Sequence, residues 1–266
     1  MYKFTDFHGT AVKNRMPEEV CINEFWLDQI SGFRTISVQG REAAERELYQ
    51  SGSIAGRDGV LVFGANFKPR SLVVLYELTA KTSSAWLAAY HQLHEVLFPE
   101  KYLLRVFFAD DPEAYYTAVC SELSPVTPGL LTATGEFTLE LSNPFKLFPK
   151  QTASWTGTTG KVIGTDSWLP IQLSTIIIKP RAVTEKLTLH NQKNGHQLVV
   201  NNTFSGNGTQ LVTFDFEKRT IKLQDGAPAA LDFVVSDFPD FILRQGDPLT
   251  TNVNAETVIT YQRRAL

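Results

Sequence analysis

The sequence predicts a mainly β protein in two parts, the first of which contains a helix. Short apolar runs separated by turn residues recur along most of the 266 residues. Helical periodicity, by contrast, is confined to residues 83–97. The composition, with 43% hydrophobic and 20% charged residues, is that of a globular protein with one large or two medium domains. We therefore expect an α+β first domain, with the helix packed on a β-sheet, and an all-β second domain.

The helix prediction depends on the spacing of apolar residues. Five of them recur at intervals of three and four and predict one buried stripe: Trp86, Leu87, Tyr90, Leu93 and Leu97. Hydroxyl side chains at 82–84 can cap the first N–H groups, and Pro99 has no N–H with which to continue the helix. The apolar runs at 71–78 and 102–108 favour strands on both sides of it.

Other strands of the first part are predicted from apolar content and period-two alternation. They lie at residues 20–27, 32–40 and 129–146. Residues 42–50 are ambiguous, because their Ala, Glu and Arg content favours a helix. Their position after a Gly-Arg turn favours the return strand of a hairpin, and we prefer that interpretation.

The second part is predicted to be a β-sandwich or jelly roll. Residues 149–160 contain few apolar side chains, and we place the boundary there, with domains at 1–148 and 149–266. Runs of strand length follow at 171–178, 187–190, 198–204, 211–216, 220–223, 231–235 and 258–261. Turn signals separate several of these runs at 194–195, 206–208 and 225–226.

Composition excludes several classes of function. The net charge of −3 gives no sign of a surface that binds nucleic acid by neutralising phosphates. No apolar stretch is long enough to span a bilayer, and residues 1–6 have no apolar signal core. We expect folding in a cytoplasm, where Cys21 and Cys120 would be buried free thiols.

Two candidate chemical sites have simpler structural interpretations. Asp110, Asp111 and Glu113 could act as paired carboxylates, but adjacent carboxylates in one segment favour a solvated turn. His91 and His94 have a spacing that permits a metal pair, but no third ligand follows a matching pattern. We therefore predict no catalytic residue, no cofactor and no metal site.

Short motifs in a specific order carry a family resemblance. They are Met-Tyr-Lys-Phe-Thr-Asp at 1–6, Gly-Phe-Arg-Thr-Ile at 32–36, Val-Gln-Gly-Arg-Glu at 38–42, Gly-Arg-Asp-Gly at 56–59, Phe-Phe-Ala-Asp-Asp-Pro-Glu-Ala-Tyr-Tyr at 107–116, Gly-Glu-Phe at 135–137, Asn-Pro-Phe-Lys at 143–146, Phe-Asp at 214–215 and Ser-Asp-Phe-Pro at 236–239. In this order they resemble the distal tail protein (Dit) family of siphophages, a siphovirus-type tail component. The chain departs from the family at 244–247, where Arg-Gln-Gly-Asp replaces the usual Pro-Gly-x-Asn turn.

The resemblance implies a structural virion protein and no enzyme. It implies a hexameric ring that joins the tail tube to the host-adsorption apparatus and leaves a channel for DNA. The first domain would form the ring from a helix on a β-sheet or split barrel, with residues 42–50 as a strand. The second would be a galectin-like β-sandwich.

The resemblance also implies partners and a location. The partners would be other copies of the chain, the tail tube protein, the tape measure protein, a tail-associated lysin or tail fibre protein, and receptor-binding or upper baseplate proteins. DNA would pass through the channel without specific binding, and no membrane insertion is expected. The protein would be located at the virion tail tip, after assembly in the cytoplasm of the bacterial host.

A six-fold ring requires heterologous contacts, in which one patch meets a different patch of the neighbour. We predict that this contact lies near the first hairpin and the Arg-Asp turn. The predicted interface residues are Arg41, Glu45, Glu47, Tyr49, Arg57 and Asp58.

The alternative function is a carbohydrate-binding, lectin-like module for host cell-wall glycans. In that interpretation Trp155 or Trp168 would stack on a sugar ring. We favour packing roles for both side chains, because aromatic residues commonly fill protein cores.

Overall fold

The computed structural model describes residues 15–42, 44–52, 58–126, 131–162, 169–224 and 236–266. Within these ranges the protein is mainly β with one α-helix, which confirms the predicted fold class. The chain divides into two compact units, Met1–Lys146 with Leu266, and Leu147–Ala265. The sequence predictions at residues 1–6, 57, 168 and 231–235 lie outside the described residues.

The first unit is built from antiparallel strands, a short 3-10 turn and helix α1. The strands are β1 (Val20–Ile22), β2 (Phe25–Trp26), β3 (Phe33–Gln39), β4 (Arg46–Gln50), β5 (Val62–Phe67), β6 (Ser71–Thr79), β7 (Leu104–Phe108), β8 (Asp111–Leu123) and β9 (Thr132–Leu141). The 3-10 turn covers Leu27–Gln29, and α1 covers Ser83–Leu97. The main sheet has the order β3-β6-β9-β8-β7-β1-β2, whereas β4 and β5 form a separate two-stranded sheet.

The core of the first unit lies between one face of this sheet and α1. Alternate residues of β6 and β9, such as Val74 and its partner Phe137, are buried together with Trp86 and Leu93 of the helix. The helix begins where Thr82 Oγ1 accepts a hydrogen bond from the Ala85 N–H. The predicted helix bounds are therefore confirmed.

Some predictions for the first unit were wrong in detail. Leu87 is 49% exposed, because it lies about 100° around the helix axis from Trp86 and outside the buried stripe. Residues 20–27 are not one strand, since Asn23 and Glu24 adopt positive φ and fold β1 back on β2. Within residues 42–50 the predicted strand is present from Arg46 onwards. It does not pair with β3 as the hairpin prediction required, because β3 pairs with β6 and β4 pairs with β5.

The second unit contains the strands β10 (Lys146–Lys161), β11 (Gln172–Pro180), β12 (Leu187–Asn191), β13 (Gln197–Val200), β14 (Val212–Asp215), β15 (Thr220–Leu223) and β16 (Pro248–Ala265). Strand β16 pairs with β12 near its start and with β11 over its second half. On its other side β11 pairs with β14, and β14 pairs with β15. These strands surround a separate apolar core. Residues 149–160, interpreted as a polar boundary, lie within β10, since their threonine-rich sequence suits an extended strand.

Candidate functional site

A separate β-hairpin stands in the connection between β3 and β6. We call it the arm and define it as residues 44–52 and 58–68. Strand β4 pairs with β5 from Arg46 opposite Phe67 to Gln50 opposite Val62. All of β4 and most of β5 are exposed. A two-stranded hairpin is only marginally stable in water, so this arm is expected to gain stability from a surface that covers it.

The arm presents large apolar side chains to solvent. The exposed fractions are 51% for Leu48, 47% for Tyr49, 46% for Val60, 56% for Val62 and 73% for Phe63. Single exposed apolar residues are ordinary, but a cluster on one short hairpin is typical of a protein–protein interface. The arm is therefore the strongest candidate for a contact surface in the first unit.

Both faces of the arm carry apolar groups. Residues opposite each other in an antiparallel pair lie on the same face, so Leu48 shares a face with Ala65 and Tyr49 shares the other with Gly64. The Tyr49 hydroxyl accepts a hydrogen bond of 3.1 Å from Asn66 Nδ2. This bond orients the tyrosine ring across Gly64. The arm can therefore contact protein on two sides.

The chain enters the arm past an ion pair at its base. Arg41 donates two hydrogen bonds to Asp110, from Nη2 to Oδ1 over 2.7 Å and from Nη1 to Oδ2 over 3.0 Å. Its guanidinium lies 4.0 Å from the centre of the Phe108 ring. The two-pronged contact and the ring together fix the plane of the guanidinium.

The chain leaves the arm past a second arginine, Arg70, which is almost fully buried. Its Nη2 donates to the carbonyls of Gly40 and Arg41 over 2.9 and 2.6 Å. Its Nη1 donates to the Pro144 carbonyl over 2.8 Å. Arg70 thus ties the exit of the arm to its entry and to the turn after β9.

The structure separates the predicted interface residues into two groups. Glu45, Glu47, Tyr49 and Asp58 are exposed on the arm or beside it, and Glu45 forms an ion pair with Lys68. Arg41 lies at the base, where its charge is already matched within the chain. Arg57 lies outside the described residues.

The sequence prediction omitted the apolar arm residues Leu48, Val62 and Phe63. The signal was present as the apolar run at 60–63, directly after a glycine turn. That run could have been interpreted as the partner strand of 46–50.

Two of the three acidic residues after β7 form ion pairs in the structure. Asp110 is held by Arg41, and Asp111 accepts a hydrogen bond of 2.7 Å from Lys146 Nζ. Glu113 is exposed. The two paired carboxylates link neighbouring segments, which fits a structural role better than a catalytic one.

The other candidate sites have ordinary surroundings. His94 packs against Phe98, with ring centres 4.8 Å apart, and no group of three metal-binding side chains occurs in the described ranges. Both cysteines are free and buried, as predicted. No helix among the described residues has the length and apolar character needed to cross a membrane.

Trp155 is half-buried and packs against the core of the second unit. A Cβ atom on Gly160 would lie 2.1 Å from the Trp155 ring, so the ring rests on the backbone of that glycine. Five residues of straight strand would separate the two by about 16 Å. The chain therefore bends between them, and Gly157 has the positive φ of 136° in this segment. Trp168 lies outside the described residues.

Both halves of the chain match models of phage tail protein families. Residues 24–143 match the phage tail protein RIFT-related domain. Residues 171–264 match the siphovirus-type tail component, C-terminal domain. No curated protein sequence matches the chain significantly.

One solved structure shows the same fold over nearly the whole chain. The Dit protein of phage SPP1, described as a paradigm of the hub adsorption apparatus in phages that infect Gram-positive bacteria, superposes with a TM-score of 0.68 at 16% identity. The match covers 92% of this chain and 98% of that chain. Two structures of the phage p2 baseplate in its activated conformation, with Ca and with Sr, match at 11% identity with TM-scores of 0.40 and 0.41, over 88% of this chain and 91% of those chains.

The two matched domains follow each other along the chain and together account for most of it. The fold over nearly the whole length is that of a solved Dit protein. The chain therefore belongs to the distal tail (Dit) protein family of siphophages, the structural virion components at the hub of the tail baseplate.

Proposed function

We propose that six copies of this chain close into a ring that joins the tail tube to the host-adsorption apparatus. The observation that supports this most directly is the arm, whose apolar side chains are exposed on both faces. In a closed ring each copy can lay its arm on a different surface of the next copy, which is the heterologous contact that six-fold symmetry requires. Covering Leu48 and Phe63 would then stabilise both the arm and the ring.

The main sheet of the first unit offers a suitable wall for a DNA channel. Its core face is covered by α1, whereas the opposite face carries several carboxylates. On that face Glu136 of β9 lies opposite Leu75, and Glu140 lies opposite Ser71. Glu77 lies on the same face, paired with Arg34 over 3.5 Å. An acidic wall repels phosphates, so DNA could pass without specific binding.

The wider set of partners follows from this position in the tail. We assign contacts to the tail tube protein, the tape measure protein, a tail-associated lysin or fibre protein, and receptor-binding or upper baseplate proteins. The ring would assemble in the host cytoplasm before it enters the virion. The paired state of Asp110 and Asp111 favours a purely structural role without enzymatic activity.

The proposal is tested by the mass of the purified protein in solution, measured by light scattering after size exclusion. We expect six protomers, or twelve for two stacked rings. The double variant Leu48→Ser with Phe63→Ser should be a folded monomer, with an unchanged circular dichroism spectrum. The matched control Val183→Ser changes an equally exposed apolar residue outside the arm and should still assemble. Wild-type protein that stays monomeric even when the tail tube protein is added would contradict the proposal.

The acidic channel wall has its own test. Lysine substitutions at Glu136 and Glu140 reverse charge on an exposed face and leave the core untouched. We expect particles with these substitutions to eject DNA more slowly, because the lysines would retain phosphates. Unchanged ejection would remove this face from the channel.

A carbohydrate-binding role of the second unit is supported by one observation. A cavity of about 420 Å³ there is lined by neutral side chains. They are Asn202, Thr203, Phe204, Gln210, Leu211, Leu223 and Gln224. Amides beside an apolar floor suit a neutral sugar. Binding to a glycan array that Gln224→Ala abolishes would support this second function, and an array without any bound glycan would exclude it.

A further inference from the structure

We propose that the contacts at the base of the arm are a positioning device for assembly. They fix the direction in which the arm leaves the first unit, so that ring closure depends on residues that need not touch the neighbour. This inference rests on the proposed ring, and it concerns Arg41, Asp110 and Arg70.

The entry into the arm is fixed by backbone geometry. Gly40 directly follows β3 and has a φ of 92°, a conformation that residues with a side chain rarely adopt. A Cβ atom there would lie 2.3 Å from the carbonyl oxygen of Ser71. The chain therefore turns sharply against the start of β6 before the arm begins.

The Arg41–Asp110 pair then holds the first residue after this turn. A guanidinium that donates two parallel hydrogen bonds to one carboxylate cannot rotate freely about its side-chain axis. The Phe108 ring, 4.0 Å away, restricts it further. Because Asp110 directly follows β7 and the turn residue Ala109, the pair connects the arm to the main sheet.

The exit from the arm is held by independent contacts. Arg70 reaches back to the carbonyls of Gly40 and Arg41. Phe67, near the end of β5, meets Phe145 edge to face with ring centres 5.0 Å apart. Entry and exit are therefore both attached to the body of the unit, whereas the outer part of the hairpin is exposed.

This arrangement separates the requirements of folding from those of assembly. The Arg41–Asp110 pair is partly exposed, so its removal changes the stability of a single subunit little. Without this pair the arm keeps its other supports but samples a wider range of directions, and it must lose that freedom when it binds, which weakens association. In a ring this loss recurs at every interface. Ring closure is therefore far more sensitive than folding to removal of the Arg41–Asp110 pair.

The chain provides a matched control at the next residue. Asp111 forms an ion pair with Lys146 over 2.7 Å, in the same segment as Asp110, but this pair joins β8 to β10 and includes neither an arm residue nor Arg41. Asp110→Asn and Asp111→Asn are therefore equivalent changes in chemistry and nearly in position. They differ in whether the arm loses a support.

We expect Asp110→Asn to raise the protomer concentration at half-assembly by about tenfold or more, and Asp111→Asn by less than about twofold. The melting temperatures of Asp110→Asn and Asp111→Asn should agree closely when both are measured as unassembled protomers. Equal assembly of Asp110→Asn and wild type would overturn the inference. Equal weakening by both substitutions would also overturn it, since the effect would then be one of general stability.

A second measurement keeps the inference separate from the ring. Spin labels at Glu47→Cys on the arm and Lys101→Cys on the body, both exposed positions, report the direction of the arm in a single subunit. The distance distribution should be narrow in the parent and broader in Asp110→Asn, with no change in Asp111→Asn. The expected distance distributions do not depend on whether six copies assemble. A monomeric wild type would therefore refute the proposed ring but not the positioning role. A distribution that Asp110→Asn leaves unchanged would refute the positioning role alone.

Discussion

Asn191 and Asp247, which are 56 residues apart in the sequence, meet inside the second unit, where Asn191 Nδ2 donates to Asp247 Oδ2 over 2.9 Å. Both side chains are completely buried. The same carboxylate oxygen accepts from the Arg244 N–H over 2.9 Å, and Asn191 Nδ2 also donates to the Ile242 carbonyl. The pair therefore attaches the loop before β16 to the end of β12.

Replacing this carboxylate should strongly destabilise the second unit. Asp247→Ala leaves the buried Asn191 amide and the Arg244 N–H without their shared acceptor. We expect a loss of about 2–4 kcal/mol in the free energy of unfolding, measured by urea denaturation. Asp240→Asn, an exposed position in the same region, should change it by less than about 0.5 kcal/mol. A similarly small loss for Asp247→Ala would show that the pair has no structural role.

The sequence predicted those features whose cause is local. The bounds of α1 follow from the cap at Thr82 and from Pro99, both of which act within one helical turn. The strands β14 and β15 likewise lie within the predicted runs at 211–216 and 220–223. In each case the residues that determine the structure lie inside the predicted segment.

The features that were missed depend on distant partners. The partner of the strand at 46–50 was missed for a different reason, since the local signal at 60–63 was present but was not interpreted as a strand. Asp247 looks like part of a polar turn in the sequence, because its burial depends on Asn191. The base of the arm likewise depends on Asp110, 69 residues from Arg41. The contact between these two residues therefore could not be predicted from a local sequence pattern.

Arg70 should not tolerate replacement by lysine. One guanidinium donates to three carbonyls, of Gly40, Arg41 and Pro144, and a lysine ammonium cannot match that planar geometry. We expect Arg70→Lys to lower the free energy of unfolding of the first unit by about 1.5–3 kcal/mol. The control is Arg34→Lys, which changes an exposed arginine with a single long ion pair to Glu77. Equal stability of the two variants would count against this assignment.

Tyr76 should be replaceable by phenylalanine without loss of stability. Its hydroxyl is buried and has no hydrogen-bond partner among the described residues, and burial raises its pKa well above the usual value. Removing the oxygen removes a desolvation cost, so Tyr76→Phe should leave the protein as stable or up to about 1 kcal/mol more stable in urea denaturation. A loss above about 1 kcal/mol would reveal a partner for the hydroxyl.

Adding a methyl group beside Tyr76 should have the opposite effect. A Cβ atom on Gly135 would lie 2.6 Å from the Tyr76 oxygen and 2.7 Å from its ring. Gly135→Ala is therefore expected to cost about 1–3 kcal/mol of unfolding free energy, because the ring has no room to move in the core. Its control is Gly64→Ala, where the nearest atom, Cδ2 of Tyr49, lies 3.8 Å away. Equal stability of the two alanine variants would show that the core relaxes around the methyl group.

The buried thiols should make stability fall at alkaline pH. Burial raises the pKa of Cys120 to about 11, whereas the ordinary value is 9.0. The pKa of Cys120 is higher in the folded state than in the unfolded state. The protonated thiol therefore contributes its full stabilisation of the folded state below pH 9.0, and this stabilisation is lost as the pH rises towards about 11. Urea denaturation with a reductant, from pH 7.5 upwards, should therefore show a decline that is shallower in Cys120→Ala. Parallel curves for wild type and variant would contradict the raised pKa, whatever the alanine costs at neutral pH.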